Sequence, residues 1–237
     1  MKGKEIDEIL EKAAQSPHGV DPAVLDRIAG SIELPIRPVR PLPATWMLSG
    51  GLVLLCAVVA LAGAARAGFY GIAKLSVLER SMIFPTLGIL ALALATGFVR
   101  EMIPGSARRL TSGARLGIGC AALLVVFALL FRDYRTDHFL SAGVVCLVAG
   151  VLHAIPAGLL SWLLLRRGFA VNFVSAGLVA GTLAGLAGVT MLELHCANLQ
   201  ALHILLWHTA VVPTSGAVGA LVAWALRLRV ARHPAAR

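Results

Sequence analysis

The chain of 237 residues is 58% hydrophobic and only 14% charged, with a mean hydropathy of +0.84. Soluble domains carry about 25% charged residues and roughly 45–50% apolar ones, so this composition excludes one. The formal charge of +9 does not mark a nucleic-acid binder, because the only long polar segment, residues 1–43, holds six Lys/Arg against seven Asp/Glu. The basic surplus lies in short loops and the C-terminal tail, where membrane orientation accounts for it.

The first 45 residues are mostly polar, which predicts no cleavable signal peptide. Residues 4–14 place Ile6, Ile9, Leu10 and Ala13 on one side, with acids and lysines elsewhere, an amphipathic helix pattern. Ser16-Pro17-His18-Gly19 breaks it. Asp21-Pro22 then opens a second short helix, with Asp as N-cap and proline in the first helical position. Val24, Leu25 and Ile28 form its apolar face, and Gly30 is its expected stop. Pro35, Pro38, Pro41 and Pro43 rule out helix beyond that and make a semi-rigid spacer. Neither helix is long enough to be stable alone in water. The head therefore lies on the membrane surface or its own loops, or it orders in a groove of a partner protein. Ile6, Ile9, Leu10, Val24, Leu25 and Ile28 are the partner-binding candidates.

Six apolar runs follow, at 46–65, 81–99, 116–131, 139–165, 169–192 and 202–226. A spanning helix needs about 20 residues, with a range of roughly 17–25. The third run is short and is expected to extend back into 111–115; the fourth is long and is expected to tilt or protrude. The fold class is all-α: a polytopic membrane protein with a head and linker over 1–45, six transmembrane helices over 46–226 and a basic tail over 227–237. Six spans put both ends on one side. With both termini in the cytoplasm, the inside holds sixteen Lys/Arg and the outside five (Arg66, Lys74, Arg80, Arg132 and Arg135), which the positive-inside rule favours clearly. Gly177, Gly181 and Gly185 in span five, and Gly150, Ala154 and Gly158 in span four, repeat at the spacing that lets membrane helices approach closely. Pro85, Pro156 and Pro213 are expected kink sites.

The chemistry concentrates in residues 191–208, MLELHCANLQALHILLWH, placed by this topology on the outer face. They hold three of seven histidines, one of four cysteines and the only acid in the last hundred residues. Acids are nearly absent from the spans, with Glu193 alone coming close, which disfavours a small transporter. No nucleophile motif or Gly-rich phosphate loop is present, so the chain reads as a non-enzyme. Cys56 and Cys120 read as small apolar filler. Cys196 lies just past the outer end of span five and Cys146 about 10 Å below the outer boundary in span four. The short connection between those spans makes them neighbours, so Cys146 and Cys196 are the pair most able to meet. In an oxidising periplasm they would cycle between dithiol and disulfide. With nearby imidazoles they would instead bind a thiophilic transition metal.

His153 lies two turns below Cys146 on the same stripe. His203 opens span six with Trp207 one turn below it, His208 is near the same face, and His138 sits at the outer start of span four. Cys146, His153, Cys196, His203 and His208 can form one buried cluster, with His195 and Glu193 beside Cys196. Alternatively, each imidazole makes an interhelical hydrogen bond that only fixes packing. A reading of a different class is a membrane-embedded metal- or haem-binding redox protein using His153, His195, His203 and His208. Trp46 and Trp162 need only the interfacial-belt explanation.

A polar head of about 40 residues, six spans with both ends inside, and Leu194-His195-Cys196 followed by Leu206-Trp207, with Cys146 upstream, resemble the NrsF family. These are bacterial six-helix membrane proteins that act as negative regulators (anti-sigma factors) of extracytoplasmic-function sigma factors. The resemblance implies an inner-membrane location, a cytoplasmic head that holds a sigma factor inactive, and two outward-facing cysteines that take part in sensing; carried over, these are Cys146 and Cys196. No resident cofactor is expected beyond a transition metal at the Cys/His cluster, and the charge distribution predicts no direct nucleic-acid contact. This chain departs from the family pattern at Ala197, where proline is expected, and its extra histidines, His203 and His208, have no role that the family supplies.

Overall fold

The computed structural model describes residues 8, 11–12, 21–32, 43–103, 110–165 and 172–232. The chain divides into two compact units, residues 1–42 and 43–237. In the first, helix α1 (Pro22–Ile32) starts as the sequence predicts: Asp21 Oδ1 accepts the Ala23 N–H at 2.9 Å, and proline stands where a missing N–H costs nothing. The helix runs past the expected stop at Gly30 to Ile32, since a helical glycine costs only about 0.5–1 kcal/mol relative to alanine. Val24 on its apolar face is 41% exposed. Ile6, Ile9 and Leu10 lie outside the described residues, as do the side chains of Leu25 and Ile28.

The second unit runs α2 (Thr45–Ala67), a short α3 (Tyr70–Lys74), α4 (Val77–Glu101), α5 (Ser112–Leu130), α6 (Phe139–Leu165) and α7 (Phe173–His195). It closes with α8 (Ala201–His203), a π turn (Ile204–His208) and α9 (Thr209–Arg232), which make one continuous rod. Among the described residues there are six helices long and apolar enough to cross a membrane, the last being the rod over Ala201–Leu228, and no strand. Polar caps, not the apolar runs, set the starts of three of them. Ser76 and Glu79 form a reciprocal capping box that begins α4 before its apolar run. Thr111 caps α5, so the third span reaches back as expected. Asn172 caps α7, so the described helix begins at Phe173 where the apolar run suggested 169. Helix α3 is not among the expected elements, because its five residues are too few for a periodic pattern.

Helix α7 is the axis of the bundle: 72% of its most apolar stretch is buried, against 17–44% in the other five spans. Its small residues explain this. A Cβ at Gly177 would meet Ala223 Cβ and Gly219 O of α9, and one at Gly181 would run into Ser215 O, so the two backbones touch with no side chain between them. Phe98, Phe127, Leu123, Leu183 and Met191 fill the remaining space and are fully buried. Outward faces carry Leu54, Ile89, Leu129, Val145 and Leu221, each more than 60% exposed, a surface matched to hydrocarbon and not to water. Pro85, Pro156 and Pro213 all sit inside continuous helices.

The expectation that Glu193 is the only acid near a span needs correcting. Glu101, the last residue of α4, is 4% exposed and accepts a hydrogen bond from Arg115 Nη1 of α5 at 3.3 Å. Arg115 also lies against Gly97, whose missing side chain makes room for the guanidinium. A glutamate beside Arg100, just past the end of the apolar run, reads as a loop residue; the contact with Arg115 fourteen residues later has no mark in the local sequence.

Candidate functional site

Where α6, α7 and the last rod converge, beside α3, α7 ends at His195. Cys196 is its C-cap, with ψ turned to 118° and its N–H donating to Leu192 O at 2.6 Å. The chain then runs extended to Gln200, and Ala201 N–H donates to Asp133 O at 2.6 Å, which pins the start of α8. This geometry aims Cys196 Sγ at α6. It lies 3.5 Å from Cys146 Sγ and 3.6 Å from His203 Nε2, and both cysteines are free. With His208 added, the four donor atoms all lie within 4.8 Å of one another.

The π turn makes this possible. In a regular α-helix, residues five apart are at 100° per residue and point in divergent directions. Thr209 N–H reaches back to Ile204 O, five residues away, and that wider turn stacks His208 over His203. Their rings are 5.2 Å apart and edge-on. Below His208, Glu193 Oε1 accepts a hydrogen bond from Nδ1 at 2.6 Å, and both side chains are 1% exposed. A carboxylate only accepts, so Nδ1 carries a proton, and Nε2 is the ring nitrogen that faces the cluster. His208 Nε2, His203 Nδ1 and Trp207 Nε1 are buried with no hydrogen-bond partner, an arrangement that ordinary packing avoids.

The surroundings are close-packed. Trp207 lies over Gly143, in space a Cβ would fill, and against Phe139 at 5.7 Å. Gly150, Leu192 and Val211 pack together beneath the cluster. On the other side α3 covers the end of α7: a Cβ at Gly71 would come within 2.7 Å of the carbonyl oxygens of Glu193 and Cys196, and Lys74 Nζ donates to Ala197 O at 3.2 Å. Hydrogen bonding with the Cys146 thiol and with His203 lowers the Cys196 thiol below the ordinary thiol range, against the opposing effect of burial. Nearby Asp133 is held below the usual carboxylate range by hydrogen bonds from the Arg135 side chain and backbone.

Of the residues singled out from sequence, Cys146, Cys196, His203 and His208 come together, with Glu193 behind them. His195 does not join. It is the last helical residue while Cys196 leaves the helix, so neighbouring side chains diverge; its Nδ1 donates to Gly68 O at 3.0 Å and its ring meets Tyr70 at a 59° tilt, 5.9 Å between centroids. Gly68 has φ 103°, a backbone that favours glycine. His153 donates from Nδ1 to Ala149 O at 2.8 Å and packs its ring on Gly63 of α2, a packing role. His138 opens α6 with φ 54°. Cys56 is buried in the apolar core, and Cys120 packs against it. Sequence reasoning missed the π turn and the cover provided by α3; Gly68, Gly71 and Lys74 within the short connection between the first two spans were the available signal for the latter.

Six helices long and apolar enough to cross a membrane, with a buried thiol–imidazole–carboxylate cluster at one end, give the class: an all-α polytopic membrane protein. Comparison with known families carries the assignment further. Residues 34–228 match the NrsF family, negative regulator of sigma F, and the chain belongs to that family. It is thus a negative regulator of a sigma factor, as the resemblance implied, and such a regulatory role suggests a non-enzyme. No curated protein and no solved structure matches the chain. The match begins at residue 34, so the partner-binding candidates of the head precede it.

Proposed function

We propose that the chain is a membrane-bound anti-sigma factor in the bacterial inner membrane. Its cytoplasmic N-terminal head sequesters an extracytoplasmic-function sigma factor. A change at Cys146/Cys196 on the outer face, by oxidation or metal binding, releases it. The observation that carries this reading is the 3.5 Å approach of two free thiols fifty residues apart in sequence, supported by the family's regulatory role. Helix α2 starts at Thr45, next to the head, and ends at Ala67, about 35 Å away at 1.5 Å per residue; the next residue, Gly68, holds His195. The signal therefore travels through helix packing. Cys146 belongs to α6 and Cys196 caps α7, and α7 touches every other span, so shortening or lengthening the S···S contact changes contacts that differ between two states.

Deleting residues 1–30 is expected to abolish retention of the sigma factor in the membrane fraction while leaving membrane insertion intact. A truncated chain that still retains its partner refutes the head as the binding element. Cys146→Ser and Cys196→Ser, made singly, are expected to alter partner release; unchanged release in both removes the sensing role. The four clustered donors also favour the second reading, a metal- or haem-binding redox protein. An absorbance spectrum with metal analysis separates the two, since colourless, metal-free protein that regulates fully removes the redox one.

A further inference from the structure

The histidines His203 and His208, which the family pattern leaves without a role, supply half of a four-donor set. The geometry points to a tetrahedral two-thiolate, two-imidazole site for a zinc-like divalent cation, formed by Cys146, Cys196, His203 Nε2 and His208 Nε2, with Glu193 orienting His208 from behind. This rests on the proposed function only in taking the same cluster as the sensing centre, and it names the ligand class.

Three observations carry it. The first is spacing. Zinc–sulfur bonds of about 2.3 Å and zinc–nitrogen bonds of about 2.0 Å give tetrahedral edges of about 3.8 Å between sulfurs and about 3.5 Å between sulfur and nitrogen. The structure has 3.5 Å between Cys146 Sγ and Cys196 Sγ and 3.6 Å between Cys196 Sγ and His203 Nε2. The second is the orientation of His208. Glu193 Oε1 accepts from its Nδ1, and Nε2, buried with no hydrogen-bond partner, is the ring atom left within 4.8 Å of the sulfurs. A carboxylate behind a ligating imidazole is how zinc histidines are oriented. The third is the backbone: the π turn interrupts the rod over Ile204–His208, and it brings two imidazoles five residues apart to one point. Packing alone gains nothing from burying two histidines with orphaned nitrogens.

Donor chemistry selects the cation. Two thiolates and two imidazoles in a tetrahedron suit zinc and its close relatives, and not magnesium or calcium, which take oxygen. Both thiols give up their protons to solvent as the sulfur–metal bonds form, and the thiolate charges balance those of the cation in a buried place. Half-buried Cys146 is the open side; Cys196, His203 and His208 are each at most 9% exposed.

The test uses the full chain, purified in detergent under reducing conditions and titrated with Co²⁺ as a spectroscopic probe. The expected result is saturation at one equivalent, with intense visible bands of a tetrahedral cobalt centre, thiolate-to-cobalt charge transfer, and displacement by Zn²⁺. His203→Ala and His208→Ala are each expected to weaken binding at least tenfold. Glu193→Gln is expected to weaken it about 10–100-fold with the band positions kept, whereas a merely structural role for Glu193 would leave affinity unmoved. His153→Phe, outside the cluster, is expected to bind as the parent does. Reduced, helical wild-type protein that takes up no cobalt at one equivalent, or shows only weak octahedral bands, overturns the site whatever the variants do. Unaltered binding in both His203→Ala and His208→Ala overturns it equally. If wild type binds no cobalt while Cys196→Ser still alters partner release, the cation assignment fails and the anti-sigma reading stands. If cobalt binds as described while the chain lacking residues 1–30 retains its partner, the site stands and the reading of the head fails.

Discussion

Glu193 and His208 are each 1% exposed and meet at 2.6 Å, so neither is replaceable alone without leaving a buried polar group. Glu193→Leu leaves His208 Nδ1 with no acceptor and is expected to destabilise the bundle by about 1–3 kcal/mol. Glu193→Gln keeps an acceptor oxygen and should lose less. Unfolding of the detergent-solubilised protein, followed by helical signal against temperature, ranks the two; equal stability of Glu193→Leu and wild type would mean the pair is not formed. At this scale depth along the spans was enough to single out Cys146 and Cys196, since α6 and α7 had to be neighbours. It could not separate His195 from Cys196. That distinction depends on one backbone angle, the ψ of 118° where Cys196 leaves the helix, and a sequence of apolar residues carries no mark of it. Glu101 was misjudged for a related reason: Arg115, which meets it at 3.3 Å, lies fourteen residues later. Arg115→Met removes that hydrogen bond and is expected to cost about 1–3 kcal/mol, checked by the same unfolding measurement, with Arg115→Lys restoring part of it.

Between elements, the six spans were legible because a run of about 20 apolar residues has few alternatives, and their ends were not, because Ser76, Thr111 and Asn172 set them through side-chain caps. The small-residue spacing in spans four and five predicted close approach, and the structure assigns it unequally. A Cβ at Gly181 would collide with Ser215 O, whereas one at Gly158 would sit 3.7 Å from Ala184 Cβ, an ordinary contact. Gly181→Ala is therefore expected to force α7 and α9 apart at a cost of about 1–3 kcal/mol, while Gly158→Ala is tolerated. Comparing the thermal midpoints of the two variants checks this, and equal midpoints would show that α7 and α9 do not pack backbone to backbone. The π turn had no signature in Ile204–His208, since ILLWH is as compatible with an α-helix. Only the demand that His203 and His208 reach the same sulfurs distinguishes the two.

For the molecule as a whole, the proposed topology of six crossings puts both ends on one side, and charge is what chooses the side. Under it sixteen Lys/Arg go with the termini and five with the opposite face, a bias of the kind that orients bilayer proteins through short loops. The lysines allow a direct test, because there are only four: Lys2, Lys4 and Lys12 in the head, and Lys74 in α3. Lys74 is exposed, although its Nζ donates to Ala197 O. In cells with a permeabilised outer membrane and an intact inner one, an amine reagent that cannot cross lipid is expected to modify Lys74 alone. Opening the inner membrane should then add the head lysines, with peptide masses reporting each site. Modification of Lys4 or Lys12 before the inner membrane is opened would put the head on the same face as the cysteines. It would then have no access to a cytoplasmic sigma factor, and no signal would need to cross the helices.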